Sequence, residues 1–75
     1  MTTDDRRRCY ALGYLQRLTL SMVHRSPTYI EGTDVATGVW CVASDIVNRI
    51  EAEDGSGCSF NVTLSGGKTL FVRIN

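Results

Sequence analysis

The chain holds one histidine, His24, one proline, Pro27, and one lysine, Lys68, and its three cysteines form no C-x-x-C pair. Each shortage excludes a class of chemistry. Nucleophilic catalysis by a Ser–His or Cys–His pair would rest on His24 alone. It stands before Arg25-Ser26-Pro27 with no local partner, so the sequence places it at the surface or at a helix end. Cys9, Cys41 and Cys58 are an odd set, unlike the dense even sets of small secreted scaffolds. They read as buried free thiols, the alternative being one disulfide with a spare thiol. A Cys3His zinc site with His24 would need long, irregular spacings. No metal and no cofactor is expected, and no enzyme activity. The longest apolar runs are a few residues, so no segment can span a membrane. Thr2-Thr3-Asp4-Asp5-Arg6-Arg7-Arg8 has no apolar signal core behind it, and the expected location is cytoplasmic, in a bacterial host cell. Ser65-Gly66-Gly67-Lys68-Thr69 lacks the full phosphate-loop pattern and lies between two expected strands, so it reads as a hairpin turn.

What is present is one small domain, residues 1–75, with an ordinary apolar fraction of 43%. It has room for one core and little room for a walled substrate pocket. The net charge of zero conceals a layout. Residues 1–30 carry Arg6, Arg7, Arg8, Arg17 and Arg25 against Asp4 and Asp5, five minus two, or +3. Residues 31–54 carry Glu31, Asp34, Asp45, Glu51, Glu53 and Asp54 against Arg49, one minus six, or −5. Lys68 and Arg73 make the remainder +2. Seven of the eight basic residues are arginine, which favours bidentate contacts to carboxylates and phosphates.

Hydropathy periodicity predicts an α+β fold of two helices packed on a C-terminal antiparallel β-hairpin. The first helix runs from Asp4 to about Leu20, capped by Thr3, with Leu12, Leu15, Leu18 and Met22 as its apolar stripe and Cys9 and Ala11 extending it. Gly13 is read as a point of close packing against the sheet. Thr28-Tyr29-Ile30 is read as a short third strand. A second helix is expected from Thr33 or Asp34 to Asp54, because Val35, Val39, Val42, Ile46 and Ile50 share one helical face. Gly38–Val42 is its β-rich weak point. Trp40 falls at its centre and is expected in the core, the other reading being an interface anchor. In the hairpin Phe60, Val62 and Leu64 alternate, then Leu70, Val72 and Ile74. A three-residue loop, Ser65-Gly66-Gly67, sets Val62 against Leu70 and Phe60 against Val72, with Gly67 in a left-handed position. Phe71 and Arg73 then point outward.

Two function classes compete. The first is a non-enzymatic inhibitor or adaptor that binds a protein by occlusion, through surface charge complementary to its target. Its acidic face would be Glu31, Asp34, Asp45, Glu51, Glu53 and Asp54, its basic patch Arg6, Arg7, Arg8, Arg17 and Arg25, and further contacts would come from Trp40, Phe71 and Arg73. The last three also offer a homodimer surface. In size, in its want of motifs and in its bare start, the chain is similar to accessory proteins of bacteriophages and mobile elements. Within that group it resembles, in general character, the small anti-CRISPR proteins. Size and the absence of motifs carry this resemblance; no residue motif does. It implies a Cas effector subunit as partner and an acidic face that covers a nucleic-acid groove. The second class is a small nucleic-acid-binding or transcription-regulating protein whose N-terminal arginines meet phosphates. A pI near 6.5 and the acidic middle weigh against it.

Overall fold

The computed structural model describes residues 2–55 and 57–75. One helix, α1 (Thr3–His24), precedes β1 (Thr28–Asp34), β2 (Trp40–Asp45), β3 (Val47–Ala52), β4 (Ser59–Leu64) and β5 (Thr69–Arg73). The strands form one antiparallel sheet in the order β2-β1-β5-β4-β3.

The expected second helix does not form. Its segment supplies the end of β1, a turn and all of β2 and β3. The four- and three-residue steps of Val35, Val39 and Val42 imitate a helical face, but these valines are exposed, where they obey no burial period. β-Branched residues around Gly38 prefer a pleated surface. The turn ends in a β-bulge: Gly38 N–H donates to the Asp34 carbonyl, and Asp34 N–H donates to the Val39 carbonyl. The strand expected at Thr28–Ile30 is real and extends to Asp34.

Helix α1 begins one residue earlier than expected, with Thr2 as cap in a reciprocal capping box with Asp5. It ends at Arg25, whose left-handed backbone lets its N–H reach the Ser21 carbonyl. The buried stripe runs through Ala11, Leu18 and Ser21, with Tyr14, Leu15 and Met22 half-buried beside them. Leu12 and Cys9 were assigned to that stripe, but both are exposed. Leu12 stands about 100° round the helix from Ala11, enough to turn it to solvent. Gly13 is also exposed and packs on nothing.

The β4–β5 hairpin has the expected register, Val62 opposite Leu70 and Phe60 opposite Val72. Its loop is Ser65–Gly67, and Gly67 takes φ +96°, a conformation that favours a residue without Cβ. Phe60, Val62, Leu64, Leu70 and Val72 face inward and meet Leu18 of α1, Ile30 of β1 and Val47 of β3. Each fully buried side chain of this size contributes about 1.5–3 kcal/mol.

The sheet is rolled. β2 and β3 lie at its opposite edges, yet only Ile46 separates them in sequence. Two peptide links span at most about 7 Å, so the edges converge at this corner. Asp45 holds the corner: one carboxylate oxygen accepts from Ile46 N–H at 2.7 Å, the other from Gly66 N–H in the β4–β5 loop at 2.8 Å. On the other side of the roll, β1 and β5 pair at Thr33–Phe71 and Asp34–Leu70, and just past β1 Val35 N–H donates to the Thr69 carbonyl at 3.0 Å. Toward the start of β1 the ladder ends, and the helix supplies partners there. Tyr14 hydroxyl accepts from Glu31 N–H, and Arg17 donates to the Tyr29 carbonyl at 2.8 Å.

Candidate partner-binding surface

Pairing register places one row of side chains across the outer face of all five strands. Trp40 of β2 stands opposite Thr33 of β1, Thr33 opposite Phe71 of β5, Phe71 opposite Asn61 of β4, and Asn61 opposite Glu51 of β3. The neighbouring row puts Val42 opposite Glu31, and Arg73 opposite Ser59. Where β1 and β5 part, two adjoining open depressions of about 320 and 300 Å³ form. Both are bordered by Glu31, Trp40, Arg73 and Asn75; Tyr10 and Tyr14 wall the first, Thr33 and Phe71 the second.

The aromatic residues are distributed unlike those of a core. Phe60 alone is buried. Trp40 is 60% exposed, Tyr10 and Tyr29 are exposed, and Tyr14 and Phe71 are half-buried. The expectation of a core Trp40 is thus overturned: its strand alternates, Cys41 and Ala43 turn inward, and Trp40 and Val42 turn out. Trp40, Phe71 and Arg73, separate in sequence, border one depression. Arg17 stacks over the Tyr14 ring at 4.7 Å, which fixes both on the β1 side of the helix. Glu31 and Arg73, both exposed, put one charge of each sign on the border of these depressions.

The other charged candidates are scattered. Asp34 is buried and accepts from Ala36 N–H at 2.9 Å, closing its own turn. Asp45 holds the rolled corner. Glu53 accepts from Asn61 at 2.6 Å, Glu51 pairs with Arg49 at 3.3 Å, and Asp54 has an interaction of its own. Of the arginines, Arg7 donates to the Ile74 carbonyl, Arg17 to Tyr29, and Arg25 to Asn48 at 3.4 Å, while Arg6 and Arg8 project from the first turns of α1. His24 is exposed in the last turn of α1. Of the three cysteines, Cys9 is exposed, contrary to expectation, Cys41 is half-buried and Cys58 is buried.

Among the described residues no three His, Cys, Asp or Glu side chains converge to hold a metal ion, and no helix is long and apolar enough to cross a membrane. Tyr10 and Tyr14, one helical turn apart beside the apolar stripe of α1, also line the first depression, and no pattern in the sequence ties them to it. Their meeting with Arg73 depends on the splayed β1–β5 pair, which no local pattern encodes. Compared with known proteins, the chain matches no family model, no curated sequence and no solved structure.

Proposed function

We propose that the chain is a non-enzymatic protein-binding module that inhibits its target by occlusion, with the outer-face depressions around Trp40 as the contact. One observation carries this reading: the only tryptophan is largely exposed and grouped with Phe71, Tyr10, Tyr14 and Arg73. Tryptophan, tyrosine and arginine dominate binding hot spots because they bury a large area with few lost rotamers and keep a polar tip. Glu31 and Arg73 supply one charge of each sign for orientation. Most members of the acidic and basic sets expected from the sequence have structural partners, and of those sets Glu31 alone borders these two depressions. The partner class in this reading is an effector subunit of a bacterial CRISPR defence complex, as the chain's general character suggests.

The test uses purified effector complexes and the whole protein. Wild type is expected to bind one complex stoichiometrically after nuclease treatment and to block its target-DNA binding. Trp40→Ala and Arg73→Glu should each weaken binding by roughly tenfold or more, with thermal unfolding unchanged. Leu12→Ala, exposed on the far side of the helix, should bind as wild type. Recovery abolished by nuclease would move the assignment to nucleic acid, with Arg6 and Arg8 as phosphate contacts. Equal binding by Trp40→Ala would remove the depression from the mechanism.

A further inference from the structure

The two free edges of the sheet are built differently. β3 has the features by which edge strands resist pairing: a register irregularity between Val47 and Arg49, and an exposed Arg49–Glu51 ion pair. β2 has neither. From Trp40 to Ser44 it reads Trp-Cys-Val-Ala-Ser, with no charge, no proline and no bulge. The bond from Asp34 N–H to the Val39 carbonyl fixes the phase of the β1–β2 ladder. In an antiparallel ladder bonded pairs alternate, so Cys41 and Ala43 bond to β1, while the N–H and C=O groups of Trp40, Val42 and Ser44 point away from it. All three residues are exposed. The strand therefore offers a row of backbone donors and acceptors.

We propose that this edge pairs with the same edge of a second copy, giving a continuous ten-stranded sheet with its two-fold axis at Val42. The register is self-complementary. Val42 meets its own symmetry mate, and Trp40 meets Ser44 of the other copy, a large side chain over a small one. Each of these is a bonded pair that exchanges both hydrogen bonds. No like charges are opposed, because residues 40–44 carry none. A two-fold contact of this kind closes on itself and stops at the dimer. Strand pairing keeps outer faces on one side, so the two Trp40 depressions would face the same way, suited to a target with two sites. The dimer does not depend on the inhibitor reading, and its test reads mass and amide exchange, not partner capture.

The experiment is sedimentation of the full chain from about 1 μM to about 1 mM, with amide exchange measured at both ends of the range. A mass rising from 8.3 kDa toward twice that value is expected. The amides of Trp40, Val42 and Ser44 should gain protection in the dimer, while those of Cys41 and Ala43 are protected throughout. Val42→Lys places like charges together on the axis. It should raise the dissociation constant roughly tenfold or more and leave the monomer's unfolding unchanged. A monomer across the whole range would overturn the proposal. So would a dimer in which Val42→Lys associates as wild type, or one in which those three amides stay unprotected.

Discussion

At the scale of single residues, two glycines make opposite demands. A Cβ on Gly32 would lie 2.6 Å from the Phe71 carbonyl oxygen, a backbone atom that cannot rotate away. β1 approaches β5 there just before the two strands part, and only a hydrogen at that position allows the approach. Gly13 has nothing within 4 Å and sits in the middle of α1, where glycine carries only its entropy penalty. Gly32→Ala is therefore expected to destabilise by about 1–3 kcal/mol, and Gly13→Ala to stabilise by about 0.5–1 kcal/mol. Urea unfolding of the two variants beside wild type checks both signs. A neutral Gly32→Ala would mean that β1 and β5 do not approach as described.

At the scale of elements, the joint between helix and sheet is Ser21. It is buried, its hydroxyl donates to the Ser26 carbonyl at 2.6 Å, and the same oxygen accepts from Val47 N–H at 3.1 Å. One side chain thus satisfies the loop that leaves α1 and the first residue of β3. Ser21→Ala keeps the volume and strands both backbone groups, so a loss of about 1–3 kcal/mol is expected. The Val47 amide should lose hydrogen-exchange protection more than its neighbours in β4; uniform loss across the sheet would show that Ser21 acts only through global stability. No feature of the sequence marks this serine. The elements it joins were legible to different degrees for a physical reason. In β4 and β5 one face is buried and the other, Phe71 apart, is polar, so alternation is visible and Gly66-Gly67 marks the turn. In β2 the outward positions hold Trp40 and Val42, and apolar residues on both faces erase the period of two. The three- and four-residue spacing of valines then imitates a helix. Helix α1 was recognisable by its acidic first turn and leucine repeat, but it carries apolar residues on several sides, and Leu12 was assigned to the wrong one. Trp40, Phe71 and Arg73 could be singled out in the sequence as separate residues; that they border one depression could not, because it follows from the strand order β2-β1-β5.

At the scale of the whole molecule, the rolled sheet and its helix bury the aliphatic side chains of β4 and β5 and leave every aromatic but Phe60 at least partly exposed. A chain this small has little core to spare, and Trp40 packed inside would have given it a large share of its buried area. Its exposure makes the tryptophan a reporter of surface events with a folded state distinct from that of a core residue. In dilute protein the native emission should be that of a largely hydrated indole, and it should shift little on unfolding in urea. Far-UV circular dichroism of the same samples should pass through a cooperative transition. Raising the concentration, or adding a partner that covers the outer face, should move the emission to shorter wavelength, and Val42→Lys should suppress the first shift and not the second. A blue-shifted emission already present in dilute native protein, lost in step with the circular dichroism, would place Trp40 in the core. It would remove both the partner surface and the strand-edge dimer, since each depends on β2 turning Trp40 and Val42 toward solvent.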